Sequence, residues 1–263
     1  LKYLGKLLTE NDPMSLKYAA LMWGDEHYLV MSRLLDALKA YKPQFKEIFE
    51  MDLFHYFDKN KEKKLIYDKA MEEYSFDYDN LLELYDFSDT KILLDIGGGS
   101  GKLLMKILKK NENISKGILF DLPNSIENAQ KLLKDSSFYN KLEFISGDFF
   151  EKIPIKADTI IMSRIIHDWS NDKAIKILKT VYKSLEIDGK LLLFETIVPE
   201  KLDSDIGITL NFNLLVCVGG KERTLNEFKN ILNKAGFIIS DVKKDEGIIS
   251  IIVAQKIKEM IRN

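Results

Sequence analysis

The chain has 263 residues and a net charge of −2, and 46% of its residues are hydrophobic against 30% charged, which is the composition of a folded protein of one or two domains. The near-neutral charge excludes a general nucleic-acid binder, which needs a strongly basic surface. The single Cys217 excludes an internal disulfide, and with only three histidines we expect neither a cysteine zinc cluster nor a histidine-rich metal site.

Neither a membrane span nor a targeting segment is evident in the sequence. The apolar runs are far shorter than the roughly 18 to 20 residues that a spanning helix needs. No signal peptide is present, so we expect a protein of the reducing cytoplasm. Because the sequence begins with Leu1 and not with Met, we expect the natural N-terminus to be missing. With 14 Gly and 5 Pro there is no flexible linker, so any domain boundary should be tight.

The N-terminal part of the chain is predicted to be helical. From residue 14 to about residue 76, apolar residues recur at spacings of three and four, the period of an amphipathic helix. This region is rich in Met and aromatic residues, and Pro43 interrupts it. The predicted helices are Met14–Trp23, Glu26–Ala40, Phe45–Phe57 and Lys61–Tyr74.

From about Asp89 onward, short apolar runs alternate with amphipathic helices, which predicts a mostly parallel α/β sheet covered on both faces. The last two strands are joined by Lys243–Gly247 alone. That connection is too short for a crossover helix, so we expect an antiparallel hairpin at one edge. The predicted strands cover residues 91–96, 117–120, 142–146, 159–163, 190–198, 237–242 and 248–254, and the helices 102–110, 124–134, 172–185 and 225–235. We predict a helical region at residues 1–78 and an α/β domain at residues 79–263.

A glycine-rich turn is the strongest local signal. Residues 95–101, Asp-Ile-Gly-Gly-Gly-Ser-Gly, stand between a predicted strand and a predicted helix. Glycines there allow a tight turn and a close approach to a ligand, and the helix N-terminus adds free N–H groups. Ile96 does not fit a phosphate-binding loop, and Lys102 does not fit the dinucleotide fingerprint. An acidic residue with alternate glycines, Asp95, Gly97 and Gly99, matches a loop that binds S-adenosylmethionine (SAM). A merely structural turn is the alternative.

Two further strand ends carry acidic residues. Asp121 ends the second predicted strand, where a carboxylate can accept both hydroxyls of a ribose, although it could instead cap a helix. Asp148 and Phe149 follow the third strand, and an acceptor beside an apolar ring suits the amine and the ring of adenine. Core packing is the alternative for Phe149. Because the carboxyl ends of parallel strands meet at one edge, we expect these residues in one ligand site.

His167 is the candidate general base. It follows the fourth predicted strand, at the same edge, and an imidazole titrates close enough to neutral pH to take up a proton there. Glu195, inside an apolar strand, and Glu222, before a predicted helix, could each orient the imidazole and stabilise its protonated form. A local pair with Arg223 or a charge at a helix start is the alternative for Glu222.

A second, apolar pocket is expected between the sheet edge and the helical region. Its candidate lining residues are Phe57, Met71, Tyr74, Asn213 and Leu214. Helix packing is the alternative for the aromatic and Met side chains. An apolar lining would suit an aromatic ligand.

Together these motifs resemble the SAM-dependent O-methyltransferases of the class that includes plant caffeate and flavonoid enzymes, bacterial polyketide-tailoring enzymes and vertebrate acetylserotonin methyltransferase. The resemblance spans nearly the whole chain. Its most specific parts are the His-Asp-Trp and Gly-Gly-Lys-Glu-Arg-Thr segments. The matching segments are Leu94–Gly101, Asp121–Pro123, Gly147–Phe150, Arg164–Trp169, Asp188–Leu192, Gly219–Thr224 and Ala235–Phe237.

The resemblance implies a Rossmann-like methyltransferase fold and transfer of a methyl group from SAM to a hydroxyl, with His167 as the general base and Glu195 and Glu222 as its acidic partners. Plant members carry Lys where Ser163 stands here. Cofactor contacts are implied at Gly97, Asp121, Leu122, Asp148, Phe149, and Ser163 or Arg164.

The family usually begins with a winged-helix dimerisation domain, and Tyr3–Leu8 resembles its last segment. We therefore expect most of that domain to be absent and the full-length form to be a homodimer. The expected substrate is a small molecule with a hydroxyl, phenolic or similarly aromatic. Two other functions stay open: a SAM-binding relative that does not methylate, and a SAM-binding or dimeric scaffold without turnover. A dinucleotide oxidoreductase is a more distant alternative.

Overall fold

A computed structural model describes residues 2–201 and 206–257 of the chain, without the side chains of Tyr3 and Phe76. The chain forms two compact units. The first unit comprises residues 1–77 and 204–222, and the second comprises residues 78–203 and 223–263. Within the described ranges, every helix is too short or too polar to cross a bilayer.

The second unit is built on a seven-stranded sheet with the strand order β3-β2-β1-β4-β5-β7-β6. Strands β1 to β5 pair in parallel, whereas β7 pairs antiparallel with both β5 and β6. The α/β prediction and the C-terminal antiparallel hairpin are therefore confirmed. The strands are β1 Ile92–Ile96, β2 Lys116–Asp121, β3 Leu142–Ser146, β4 Ala157–Ser163, β5 Leu185–Thr196, β6 Phe237–Lys244 and β7 Ile249–Lys256.

Twelve α-helices lie in the described ranges. They are α1 Tyr3–Lys6, α2 Lys17–Trp23, α3 Glu26–Met31, α4 Leu34–Ala40, α5 Phe45–Phe49, α6 Leu53–Lys59, α7 Lys61–Glu73, α8 Lys102–Lys110, α9 Pro123–Leu133, α10 Asn171–Ser184, α11 Ile206–Cys217 and α12 Leu225–Lys234. Helices α1 to α7 and α11 belong to the first unit, and the remaining four belong to the second.

Alternation along the strands creates two apolar layers, one on each side of the sheet. In β1, Leu94 and Ile96 join a core cluster with α10 and α12, whereas Leu93 joins a cluster with α8 and α9. This is the period of two that strand geometry imposes. Asp95 shares the side of Leu93, so a carboxyl group occupies an apolar layer.

Several helices of the first unit differ from the predicted ones. The predicted helix over residues 26–40 is divided between α3 and α4, and the one over residues 45–57 between α5 and α6. The second break follows from Glu50, whose φ of +60° lies in the left-handed region and ends α5. Helix α11 was not predicted, because its apolar residues surround it on all sides and give no amphipathic pattern. The predicted division at residue 78 counted this segment with the α/β domain, and the assignment of functional domains stays a prediction.

Candidate active site at the carboxyl edge of the sheet

The glycine-rich turn runs from the end of β1 to the start of α8. Gly97, Gly99 and Gly101 have φ values of +72°, +56° and +77°, which residues with side chains rarely adopt. A Cβ on Gly97 would lie 2.5 Å from Cδ1 of Ile165, so any side chain there would be strained by the backbone conformation and would displace the Ile165 methyl group. Around the Cβ position of Gly99 no described heavy atom lies within 4 Å. The backbone at Gly99 therefore borders open space that a ligand can approach.

Asp95 lies beneath this turn. It is 1% exposed, and a Cβ on Gly98 would stand 2.4 Å from its Oδ2 atom. Among the described residues, neither carboxyl oxygen accepts a hydrogen bond of good geometry. Burial first, and then the negative charge of Asp121, raise the pKa of Asp95 to about 8, and the Leu104 backbone N–H offsets only part of this. Asp95 is therefore protonated at neutral pH, and its contact with a cofactor stays a prediction.

Asp121, at the end of β2, is tied to the glycine-rich turn. Its Oδ2 accepts a hydrogen bond from the Gly99 N–H at 2.9 Å, and its Oδ1 accepts one from the Leu122 N–H at 2.6 Å. A carboxylate oxygen can accept more than one donor. These two bonds therefore orient the group without preventing it from accepting ribose hydroxyls, the role predicted for it. Leu122 itself is 56% exposed beside it.

Asp148 and Phe149 follow β3 at the same edge. Asp148 is exposed, and its Oδ1 accepts the Phe150 N–H at 2.8 Å. The half-buried Phe149 ring lies 6.3 Å from the Trp169 ring and packs against the core, so the packing interpretation also applies to it. An exposed acceptor beside a half-buried ring suits adenine. With the open backbone at Gly99 and the oriented Asp121 carboxylate, the residues present fit a SAM molecule.

The end of β4 carries Ser163 and Arg164. The Ser163 Oγ atom lies 2.7 Å from the hydroxyl oxygen of Tyr78, and the Arg164 guanidinium carbon lies 5.7 Å from the centre of the Tyr78 ring. Arg164 has a φ of +53°, an uncommon conformation for a residue with a side chain. Tyr78 was missed in the sequence because it precedes the sheet and contacts a strand 85 residues further along.

His167 lies in a short 3-10 turn, Ile166–Asp168, that follows β4. Its Nδ1 lies 3.7 Å from Oε2 of Glu195, and its Nε2 lies 3.6 Å from Oδ1 of Asp168. The His167 side chain is 14% exposed and that of Glu195 is fully buried. A buried carboxylate beside an imidazole stabilises the protonated form, so this pair can accept a proton from a bound ligand.

The backbone of the same turn is held by two buried charged residues. Glu195 Oε1 accepts the N–H groups of Ile165 at 3.1 Å and Ile166 at 2.7 Å. Arg223, which is fully buried, donates to the carbonyl oxygens of Ile166 at 2.9 Å and Trp169 at 2.6 Å. Sequence reasoning missed Arg223, although its place in the Gly-Gly-Lys-Glu-Arg-Thr segment was a signal.

Glu222 belongs to the first unit, where it is the last residue. It is 3% exposed, and its N–H donates to Oδ1 of Asn211 on α11 at 3.0 Å. Its predicted role as an acidic partner of His167 stays a prediction.

Two of the predicted substrate residues, Phe57 and Asn213, are buried in the first unit. Phe57 is 3% exposed, and its ring centre lies 4.7 Å from that of Tyr67. Asn213, on α11, is 8% exposed, and its Nδ2 lies 3.6 Å from Sγ of Cys217. The contribution of both residues to a substrate pocket stays a prediction.

The other two, Met71 and Tyr74, pack against a small apolar cluster between α2 and α7. The Tyr74 hydroxyl accepts a hydrogen bond from Nε1 of Trp23 at 2.8 Å. Trp23 in turn lies near the buried His27, with ring centres 5.6 Å apart. Aromatic and sulfur-containing side chains thus gather here, as the packing interpretation also requires.

Comparisons with known proteins all point to one protein family. The family described as the O-methyltransferase domain matches residues 31–238. Phenazine O-methyltransferase from Lysobacter antibioticus is 32% identical over 255 residues, which are 97% of this chain and 74% of that protein. The chain thus spans about three quarters of the length of this relative.

Solved structures agree with this match. LaPhzM has a TM-score of 0.91 with 32% identity, covering 97% of this chain and 76% of that one. Human N-acetylserotonin methyltransferase in complex with SAM has a TM-score of 0.88 with 27% identity, covering 97% of this chain and 74% of that one. The glycine-rich turn, the acidic strand ends and the family match lead to one conclusion: the chain belongs to the family of SAM-dependent O-methyltransferases.

Proposed function

We propose that this protein transfers the methyl group of SAM to a hydroxyl on a small aromatic molecule, with His167 as the general base. The observation that carries the proposal is the pair of His167 Nδ1 and the buried Glu195 carboxylate, 3.7 Å apart at the sheet edge that also holds the glycine-rich turn. Glu195 holds the backbone of the turn through Oε1, and its second oxygen, Oε2, lies beside the imidazole. That acid has a clear use when the imidazole must become charged.

SAM, when bound, supplies a methyl group that is already activated by its positive sulfur. The protein must then hold the acceptor and remove its proton, because a phenol with a pKa near 10 is mostly neutral at pH 7. We assign the Nδ1 proton to the side facing Glu195, which leaves Nε2 to take the hydroxyl proton. Asp168, 3.6 Å from Nε2, would then stabilise the positive charge that His167 acquires.

An aromatic acceptor is supported by two independent features. The predicted substrate residues lie among aromatic and Met side chains in the first unit. The names of the similar proteins, phenazine O-methyltransferase and N-acetylserotonin methyltransferase, refer to aromatic compounds. We propose Phe57, Met71, Tyr74 and Asn213 as lining residues and Glu222 as a second acidic partner of His167. We further propose that the protein is a cytoplasmic homodimer.

Methyl transfer from isotopically labelled SAM tests this function. The purified protein is incubated with labelled SAM and a panel of aromatic hydroxyl compounds: hydroxyphenazine, N-acetylserotonin and caffeic acid. We expect labelled product with at least one of them. For His167→Ala we expect kcat to fall by about a hundred- to ten-thousandfold, the usual contribution of a general base. Its affinity for S-adenosylhomocysteine (SAH), measured by calorimetry, should not change.

The matched control is His55→Ala, since the His55 side chain is 72% exposed and contacts Asp52, the residue that precedes its helix. This control should keep the wild-type rate. Undiminished methyl transfer by His167→Ala would contradict the role of the base. Tight SAH binding by the wild type without transfer to any compound of the panel would favour the SAM-binding relative that does not methylate.

A further inference from the structure

Two charged residues, Glu195 and Arg223, hold the backbone of the turn that carries His167. The proposed mechanism assigns a role to Glu195 but none to Arg223. Residue Ile166 is the clearest case, since its N–H donates to Glu195 Oε1 at 2.7 Å and its carbonyl oxygen accepts from Arg223 Nη1 at 2.9 Å. Ile166 directly precedes His167, and the Ile166 carbonyl belongs to the same peptide group as the His167 N–H. The position of the imidazole therefore depends on both bonds.

Arg223 holds more than one point of the segment. Its Nη2 donates to the carbonyl oxygen of Trp169 at 2.6 Å, and its Nε donates to Oδ1 of Asn171 at 3.1 Å. The guanidinium fork thus spans residues 166 to 171 with three bonds from its three nitrogens. A planar, permanently charged fork can make such divergent bonds, whereas a lysine ammonium cannot reproduce their geometry.

Both charged residues are anchored to the same strand end. Glu195 lies in β5, and Arg223 forms a bridge with Ile197, two residues further along. The Val198 N–H also donates to the carbonyl oxygen of Arg223 at 3.1 Å. Glu195 and Arg223 are therefore both held at the end of β5. From there the carboxylate accepts the Ile166 N–H and the guanidinium donates to the Ile166 carbonyl oxygen.

We propose that Arg223 is a positioning residue for His167, which together with Glu195 forms a clamp that holds the Ile166–Asp168 turn and thereby sets where the imidazole lies. This inference rests on the proposed function for its catalytic consequence. Whether Arg223 fixes the turn can be measured without any methyl transfer. A buried fork with three bonds to one segment is more than packing requires, because an apolar side chain could fill the same volume.

The catalytic test compares Arg223→Met with Arg223→Lys. Because a misplacement of about 1 Å can cost on the order of a hundredfold in rate, we expect Arg223→Met to lower kcat by about ten- to a hundredfold. The dissociation constant of SAH should stay within about threefold of wild type, since the glycine-rich turn and Asp121 are untouched. Arg223→Lys should recover part of kcat. The midpoint of the acidic limb of the kcat–pH profile should shift in Arg223→Met, because the imidazole moves relative to Glu195.

The matched control is Lys173→Met. Lys173 is exposed and its Nζ lies 5.0 Å from the centre of the Trp169 ring, so it contacts the residue that follows the turn without holding the backbone. This control should keep the wild-type kcat and pH profile. If Arg223→Met did the same, the clamp would be refuted.

Amide hydrogen exchange, measured by NMR, separates failure of the clamp from failure of the proposed function. In Arg223→Met we expect the amides of Ile166 and His167 to exchange at least about tenfold faster, with Leu93 and Leu94 of β1 unchanged. This holds even if the wild type transfers no methyl group. Unchanged exchange at Ile166, or an equal increase in β1, would overturn the proposal, the latter because it would reveal a general loss of stability.

Discussion

The buried carboxyl of Asp95 predicts a specific dependence of stability on pH. Below about pH 3.8 this carboxyl is protonated in both the unfolded and the folded chain, so it contributes no pH dependence. Between pH 3.8 and about pH 8 the unfolded chain has lost the proton and the folded chain has kept it. Folding therefore takes up a proton, and the free energy of unfolding falls as the pH rises. Above about pH 8 both states are ionised and the dependence ends.

The size of this pH dependence follows from the single proton that Asp95 takes up on folding. Within this window the contribution of Asp95 falls by about 1.4 kcal/mol per pH unit, or about 3 kcal/mol between pH 5 and pH 7. Asp95→Asn replaces the neutral acid by a neutral amide of the same shape and removes the titration. We therefore expect the free energy of unfolding of Asp95→Asn, minus that of the wild type, to rise by this amount over the same interval.

Urea unfolding at pH 5, 6, 7 and 8 measures this difference. When Trp23 is replaced by Phe, Trp169 is the remaining tryptophan and its fluorescence reports on the second unit. Subtracting the free energy of unfolding of the wild type from that of the variant cancels the contributions of the titrating groups that both proteins share. Asp89→Asn is the control, because Asp89 is an exposed carboxyl of the same unit and its replacement should not reproduce the rise expected of Asp95→Asn. A constant difference for Asp95→Asn as well would mean that the buried carboxyl is ionised, and the reasoning would be wrong.

Three further predictions concern the cofactor site and the fold. Asp121→Ala removes charge-assisted hydrogen bonds and should weaken SAH by about ten- to a hundredfold in calorimetry; unchanged affinity would contradict the ribose role. Tyr78→Phe removes the bond to Ser163 and should raise the SAH dissociation constant by about three- to tenfold, whereas no change would show that Ser163 does not need Tyr78. Thr224→Ala deletes the bond from the Glu227 N–H to the Thr224 hydroxyl, one of the two bonds of the capping box on α12, and should cost about 1 kcal/mol in urea unfolding, while Ser170→Ala, at a helix start without such a bond, should cost much less.

Much of the second unit could be predicted from the sequence because its signals are local. The alternation of apolar runs and amphipathic helices determines a parallel sheet, and the short connection before Ile249 determines the antiparallel pair. The carboxyl ends of parallel strands share an edge, so the placement of Asp121 after β2 and of His167 after β4, both at that edge, followed from chain order alone. By contrast, α11 could not be predicted, since an apolar surface on all sides carries no helical period.

The parts of the site that were missed depend on contacts between distant segments. Arg223 acts through backbone carbonyls of residues more than 50 positions earlier, and Tyr78 through a hydroxyl on β4. A backbone carbonyl exists at every residue, so no sequence pattern marks it as a partner. The burial of Asp95 was accessible in principle, because it alternates with Leu94 and shares the side of Leu93.

The first unit is discontinuous in the chain, and this has a consequence for its biosynthesis. Helices α1 to α7 are complete at residue 73, but α11 belongs to the same unit and begins only at residue 206. Specific contacts join α11 to the early part of the chain. The Gln44 N–H donates to the carbonyl oxygen of Val216 at 2.8 Å, and Val30, Phe45 and Val216 share one apolar cluster. While strands β1 to β5 are being synthesised, the apolar surface that α11 contacts in the folded unit is therefore still uncovered on the early helices. At that stage the nascent chain offers chaperones a binding surface, which disappears when α11 emerges.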